Sequence, residues 1–218
     1  LCNDVQRFFY ALENESRDLQ TVSLIAAPST MKNKVFELIR REKEHALAGR
    51  PSGIVAKMNS LLDEQVTDAL YDASAAGVKI QLIVRGICTL IPGDKNLSRN
   101  IQVISIVGRH LEHARAFRFE NGGNEEIYLS SADWMPRNLN KRYELMFLIR
   151  DDACKRAVEN VLKLQLMDNQ QCWCMDPCGD YTRRDPNGAL PVNAQEVLLY
   201  SLDDVFSGKW EGFHHSNG

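Results

Sequence analysis

Apolar runs alternate with amphipathic stretches along most of the chain. Runs bounded by turn residues indicate buried strands, and apolar residues at helical spacing indicate helices. Ser29 or Thr30 is placed to cap the first of these helices. The predicted strands are 21–27, 54–58, 78–84, 100–107, 114–119, 126–131 and 143–149, and the predicted helices are 30–48, the segment after residue 63, and 152–167. This alternation, with one hairpin across 121–124, predicts an α/β sandwich with a mixed sheet.

The two ends of the chain differ from its middle. Residues 1–20 have a weak helical period, and we expect them to pack against a part of a parent chain. Residues 169–218 are rich in Pro, Gly, Asn and Asp, which predicts a loop-rich tail with one helix near 192–200. We therefore divide the chain into an N-terminal helical segment (1–20), an α/β domain (21–168) and the tail. The first residue is leucine, so we expect a piece of a longer protein.

Composition excludes several classes of protein. The 218 residues are 44% hydrophobic and 25% charged, as in a globular chain of one large domain. The formal net charge is −3, so no basic field points to a nucleic-acid partner. No run approaches the roughly 18 apolar residues of a membrane-spanning helix, and the charged first twenty residues do not resemble a signal peptide. We therefore expect no transmembrane segment and no nucleic-acid ligand.

The chain has six cysteines, and without a secretion signal they indicate reduced thiols. Cys172, Cys174 and Cys178 lie close together, but zinc prefers four ligands and no fourth is near in sequence. His214 and His215 could supply one only from the far end of the chain. We interpret these cysteines as incidental and predict no metal-ligating residue.

The segment 108–115 is the richest in reactive side chains. His113 and Arg115 are two residues apart at the predicted start of a strand, so we expect them on the same face of the sheet. An imidazole can shuttle a proton or bind a phosphoryl oxygen, and a guanidinium can hold the anion in a bidentate fork. The alternative is an ordinary half-buried histidine on a polar sheet face.

Other strand ends favour the phosphate interpretation. Arg85 follows an apolar strand directly, at the end where α/β folds bind ligands, and a charge there is costly unless it meets an anion. Lys57 and Asn59 flank the end of the second strand. A further group after a later strand comprises Ser131, Asp133 and Arg137. Together these residues predict a site for a phosphate-rich ligand.

Four segments of the chain closely resemble the C-terminal catalytic part of bacterial polyphosphate kinases. They are KMNSL at 57–61, LIVRGIC at 82–88, LEHAR at 111–115, and SSADWM followed by RNL within 130–139. The last two of that family's four domains resemble the two halves of a phospholipase D, and this chain resembles the last of them. The resemblance implies a phospholipase D-like sandwich with a mixed central sheet and helices on both faces, with residues 21–168 as the catalytic domain.

The resemblance also implies a reaction, the reversible transfer of the terminal phosphoryl group of ATP to inorganic polyphosphate, with Mg²⁺ in the intact enzyme. The phosphohistidine nucleophile of the family lies in the preceding domain, so we expect this chain alone to be inactive. His113 matches a second, catalytic histidine, and Arg85 matches an arginine that binds the nucleotide phosphates. The ATP- and phosphate-binding residues that we expect are Arg85, His113, Arg115, Lys57, Asn59, Ser131, Asp133 and Arg137.

The implied partners are ATP, ADP and inorganic polyphosphate, in a homo-oligomeric parent enzyme located in the cytoplasm or at the periphery of the inner membrane. Two alternatives remain. A phospholipase D-like phosphodiesterase half-domain would use a His-x-Lys pair, and here Arg115 takes the place of the lysine. A non-catalytic module would only bind nucleotide or polyphosphate.

Overall fold

A single mixed sheet organises the chain in the computed structural model, which describes residues 2–16, 19 and 21–214. The strands are β1 (Leu24–Ala27), β2 (Gly53–Met58), β3 (Lys79–Val84), β4 (Ile101–Ile106), β5 (Ala116–Phe119), β6 (Glu126–Ser130), β7 (Glu144–Leu148), β8 (Cys172–Met175) and β9 (Tyr181–Arg183). The helices are α1 (Cys2–Glu13), α2 (Met31–Leu47), α3 (Glu64–Ala75), α4 (Pro136–Asn140), α5 (Asp152–Met167), α6 (Ala194–Tyr200) and α7 (Leu202–Ser207).

The strand order is β1-β7-β6-β5-β2-β3-β4-β8-β9. Strands β2, β3 and β4 run parallel, and every other pairing in the sheet is antiparallel. Lys57 near the end of β2 lies opposite Ala116 at the start of β5, which in turn lies opposite Leu129 near the end of β6. The loops after β2, β3 and β6 and the loop that joins β4 to β5 therefore meet at one edge of the sheet, called the site edge below.

Helices cover both faces of the sheet. Helices α2 and α3 pack on one face, where Leu38 and Leu70 are fully buried against inward residues of the strands. Helix α5 packs on the other face, where Leu162 contacts a cluster that includes Val55 and Ile104. Residues alternate between the faces along each strand, as the pleat requires. The predicted α/β sandwich, with a mixed sheet and helices on both faces, is confirmed.

Two features of the N-terminal part were not predicted from the sequence, while the packing of residues 1–20 against a parent chain stays a prediction. Helix α1 packs against the chain's own sheet, since Ala11 is buried with Ala26 of β1, while Phe9 and Tyr10 on its outer side stay exposed. Thr30 precedes α2 but does not cap it, because its hydroxyl hydrogen-bonds instead with the Ala26 backbone. A local hydroxyl–backbone bond of this kind competes directly with a capping bond.

The segment 169–207 is more regular than its composition predicts. Strand β8 pairs with β4, and β9 pairs with β8 across a turn that contains Pro177 and Gly179. Helices α6 and α7 bury Ala194 and Val205 against Leu164 of α5. The sequence predicts one helix there and no strand, because β8 and β9 are short and lack a long apolar run. The three-part domain division stays a prediction.

No helix in the described part of the chain is long and apolar enough to cross a membrane.

Candidate active site

Backbone hydrogen bonds join three loops of the site edge. Leu61 N–H donates to the Ile87 carbonyl at 2.9 Å, and the N–H groups of Leu62 and Asp63 donate to the Trp134 carbonyl at 2.9 and 3.0 Å. Gly86 N–H donates to the Asn59 carbonyl at 2.7 Å, and a Cβ on Gly86 would lie only 2.9 Å from that oxygen. A side chain at Gly86 would therefore push the loops after β2 and β3 apart.

Asp133 is the centre of the polar network at this edge, and only 6% of the residue is exposed. Its Oδ1 accepts hydrogen bonds from Asn59 N–H at 2.8 Å, from Asn59 Nδ2 at 3.1 Å and from Arg115 Nε at 3.0 Å. Its Oδ2 accepts from Arg115 Nη2 at 3.2 Å. The carboxylate is a hydrogen-bond acceptor that orients one amide and one guanidinium.

Arg85 is held by Asn59 at the end of β3. Its Nε and Nη2 both donate to Asn59 Oδ1, at 3.1 and 2.9 Å, and Asn59 itself is held by Asp133. No hydrogen bond joins Arg85 Nη1 to a described residue. The side chain lines a cavity of about 290 Å³, together with Gly86, Ser105, Val107, Trp173 and Tyr181. A fixed cation with free N–H groups therefore lines an open cavity.

His113 and Arg115 are in contact, but not in the predicted way. Strand β5 begins at Ala116, so both residues lie in the loop that precedes it. Arg115 Nη1 lies 3.1 Å from His113 Nδ1 and 3.4 Å from Nε2, and it also donates to the His113 carbonyl at 3.0 Å. The predicted guanidinium fork on an anion is occupied by Asp133 here. His113 itself is exposed at the site edge.

Lys57 is joined to a different part of the network. Its side chain is 3% exposed, and its Nζ lies 3.1 Å from Glu112 Oε2 in an ion pair that is poorly aligned for a hydrogen bond. Burial lowers the pKa of the Lys57 ammonium, and the Glu112 carboxylate opposes that shift. A phosphate ligand would have to compete with Glu112 for this amine.

Ser131, Arg137 and Lys57 lie outside the hydrogen-bonded group formed by the other site residues. Ser131 Oγ donates to Glu144 Oε2 at 2.5 Å and accepts from Leu145 N–H at 3.0 Å. Arg137 is exposed on α4. The structure thus joins five residues by consecutive hydrogen bonds: Arg85, Asn59, Asp133, Arg115 and His113. This set is called the site network below. Lys57 forms an ion pair with Glu112 instead, and Ser131 is held by Glu144.

The described residues do not offer a magnesium cage. No group of three or more His, Cys, Asp or Glu residues in the described part of the chain is arranged to hold a metal ion. The Asp133 carboxylate already accepts four hydrogen bonds from Asn59 and Arg115. Cys172 is buried while Cys178 is exposed, and His215 lies outside the described residues.

Three polar residues of the site edge were not predicted from the sequence. Glu112 belongs to the LEHAR segment but received no role, although its position next to His113 was a usable signal. Gln165 of α5 and Gln195 of α6 both donate to Glu112, at 2.7 and 2.9 Å. A glutamine in a helix far along the chain carries no sequence signal for this contact.

Comparison with known proteins places the chain in a family. The family model described as polyphosphate kinase C-terminal domain 2 matches residues 24–195. The polyphosphate kinase of Synechocystis is 48% identical over 195 residues, which are 89% of this chain and 26% of that protein. The polyphosphate kinase of Paraburkholderia phytofirmans is 50% identical over 200 residues, which are 91% of this chain and 29% of that protein.

A solved structure agrees with these matches. The crystal structure of polyphosphate kinase from Porphyromonas gingivalis superposes with a TM-score of 0.88 at 38% identity, covering 94% of this chain and 32% of that one. The chain thus spans about a quarter to a third of the length of these relatives. Matched by the family model over most of its length and by relatives at 48% and 50% identity, the chain belongs to the polyphosphate kinase family.

Proposed function

We propose that this chain supplies the nucleotide- and polyphosphate-binding half of the active site of a polyphosphate kinase, which transfers the terminal phosphoryl group of ATP reversibly to inorganic polyphosphate. The observation that carries the proposal is the site network, in which hydrogen bonds link Arg85 to His113 through Asn59, Asp133 and Arg115. It presents a permanent cation and a titratable imidazole at the same edge of the sheet. Phosphoryl transfer depends mostly on such positioning and charge neutralisation.

Arg85 neutralises phosphate charge in this proposal. Its side chain cannot deprotonate in a protein, and Asn59 fixes its orientation through two hydrogen bonds. The remaining N–H groups can meet phosphate oxygens in the cavity that Arg85 lines. Because the guanidinium is held in place before the ligand arrives, less side-chain entropy is lost on binding.

His113 holds or transfers a proton at the phosphoryl oxygen. Both ring nitrogens lie near Arg115 Nη1, which only donates, and we assign the acceptor role in the neutral ring to the nearer one, Nδ1 at 3.1 Å. Nε2 then carries the proton and can donate it to an oxygen of the transferred group. We assign Arg115 and Asp133 to orienting this imidazole, and we place the phosphohistidine nucleophile outside this chain.

For the complete enzyme we propose ATP, ADP and inorganic polyphosphate as ligands, Mg²⁺ bound with the nucleotide, a homo-oligomeric state and a cytoplasmic location. The phosphodiesterase alternative is less favoured, because Arg115 replaces the lysine of the His-x-Lys pair and its guanidinium is bonded to Asp133.

The chain by itself would act as a binding module. When it is incubated with γ-labelled ATP, the radiolabel should neither stay on the protein nor enter polyphosphate.

The binding site is testable with the chain itself. Titration with tripolyphosphate, followed by ¹⁵N NMR, should shift amide signals at residues 59, 85–86, 113–115 and 133 before any others. Binding should weaken as salt is added, since exposed charges contribute to it. Shifts confined to helix α1, at residues 2–13, would contradict the proposed site.

The Arg85→Lys variant should bind tripolyphosphate and nucleotide more weakly. Lysine keeps the charge but loses the planar fork and its bonds to Asn59, and a lost charged hydrogen bond is worth about 1.5–3 kcal/mol. The dissociation constant measured by calorimetry should therefore rise roughly 10- to 150-fold. Arg50→Lys is the matched control, because Arg50 is an exposed arginine before β2, at the opposite edge of the sheet. Equal effects of the two variants would remove Arg85 from the site.

A further inference from the structure

The loop that carries His113 has no regular structure of its own. It runs from residue 107, after β4, to residue 115, before β5. Val107 and Leu111 within it are 56% and 68% exposed, so apolar burial contributes little to holding it. Backbone hydrogen bonds hold the two ends of the loop, from Val107 N–H to the Gln171 carbonyl and from Ser130 N–H to the Arg115 carbonyl. Polar side-chain contacts hold it at two further places, Arg115 on Asp133 and a second group around Glu112.

Gln195 of α6 makes most of the contacts in that second group. Its Oε1 accepts from His110 N–H at 2.9 Å, and its Nε2 donates to the His110 carbonyl at 2.7 Å and to Glu112 Oε1 at 2.9 Å. Gln195 is 6% exposed, and Gln165 and Lys57 contact the other Glu112 oxygen. One buried amide therefore holds the backbone three residues before His113 and the side chain immediately before it.

Gly108 leaves room for this amide. A Cβ on Gly108 would lie 2.5 Å from Gln195 Oε1 and 3.1 Å from its Cδ. Any side chain at Gly108 must therefore displace the Gln195 amide from its place against the loop. The first turn of α6 is itself held by Asp168, whose Oδ2 accepts a hydrogen bond from Ala194 N–H at 2.8 Å. The backbone that carries the Gln195 side chain is therefore fixed.

We propose that Gln195 is a positioning residue for phosphoryl transfer, acting through His110 and Glu112 to keep His113 against Arg115. The inference rests on the proposed function of His113. It gives the segment after α5 a role in the active site, because Gln195 reaches the loop from a helix that lies 82 residues beyond His113 in the sequence. Arg85 is held separately by Asn59, so Gln195 should affect turnover more than nucleotide binding.

The test variant is Gln195→Met, which keeps the length of the side chain and removes its hydrogen bonds. The complete kinase for this experiment is the Synechocystis enzyme with this chain in place of its matching segment. We expect kcat to fall on the order of 10- to 100-fold, as a small misplacement of a reacting group does, with little change in the KM for ATP. In the chain itself, hydrogen exchange of amides 109–113 should speed up. Glu196→Met is the matched control, because Glu196 is exposed on the same turn.

A double-mutant cycle with Gly108→Ala separates positioning from general stability. If Gln195 positions the loop, Gly108→Ala displaces the amide and lowers kcat by a similar factor, and adding Gln195→Met costs little more. If Gln195 is incidental, its side chain moves aside and Gly108→Ala leaves kcat unchanged. Additive losses with unchanged amide exchange would also overturn the proposal.

The outcomes distinguish this inference from the function on which it rests. Loss of turnover in His113→Gln but not in Gln195→Met would overturn the role of Gln195 and leave the proposed function in place. Unchanged turnover in both variants would overturn the role of His113 and that of Gln195 with it. Loss in both, with faster exchange of amides 109–113, is the result that we expect.

Discussion

The His113→Gln variant of the complete kinase should lose roughly 10²–10⁴-fold in turnover with little change in nucleotide binding. Glutamine keeps a hydrogen-bond donor but cannot exchange a proton near neutral pH, and general acid–base catalysis contributes about that factor. Steady-state kinetics across pH should also show that one limb of the profile of kcat flattens. We expect so large a loss of turnover because the His113 imidazole acts directly on the transferred phosphoryl group.

His110→Gln is the control for this experiment. It makes the same substitution three residues away in the same loop, and the contacts that hold His110 run through its backbone N–H and carbonyl. We expect kcat in this control to stay within a few fold of the parent. If His113→Gln kept most of its activity and an unchanged pH profile, His113 would only hold a phosphate oxygen.

Asp133→Ala should cause the largest loss of stability among the site variants. It removes the acceptor for the guanidinium of Arg115, whose side chain is 13% exposed, and for both donors of Asn59. Removing one partner of a buried ion pair typically costs about 3–5 kcal/mol, because the other charge stays buried and unpaired. Urea unfolding of the chain should show a free energy of unfolding lower by that amount. Asp133→Asn, which keeps one acceptor oxygen, should lose less.

Two comparisons test the cause of this loss. Asp72→Ala breaks an exposed ion pair with Lys43 and should cost less than about 1 kcal/mol. Adding Arg115→Leu to Asp133→Ala should restore part of the stability, since the unpaired charge is then gone. A double variant less stable than Asp133→Ala would show that the ion pair is not the source of the effect.

The contacts of the Asp133 carboxylate differ from those that its sequence context predicts. We expected it among the residues that bind phosphate, and that role stays a prediction. In the structure its oxygens face Asn59 and Arg115. A carboxylate repels a phosphate, whereas a carboxylate that fixes two donors makes them better oriented for one.

Local patterns in the sequence were sufficient for the central elements. The apolar strands β2, β3 and β4 and the amphipathic helices α2, α3 and α5 have a period that matches their secondary structure. The hairpin β5–β6 has its own turn signal in Asn121, Gly122 and Gly123. Arg85 and Asn59 could also be located, because a parallel strand places the residues after it at the ligand-binding edge.

Tertiary structure decided the features that depend on distant partners. Strands β8 and β9 are too short to be recognised alone and exist because β4 offers an unpaired edge. Arg115 lies in a loop and not in β5, and its fork points to Asp133, a residue 18 positions away. Gln195 reaches the His113 loop only because α6 packs against α5. The sequence by itself determined which residues could form strands, helices and a phosphate site, since those depend on local period and residue chemistry. Which side chains meet was decided by the packing of elements far apart in the chain, because a hydrogen bond depends on distance in space and leaves no periodic trace in the sequence.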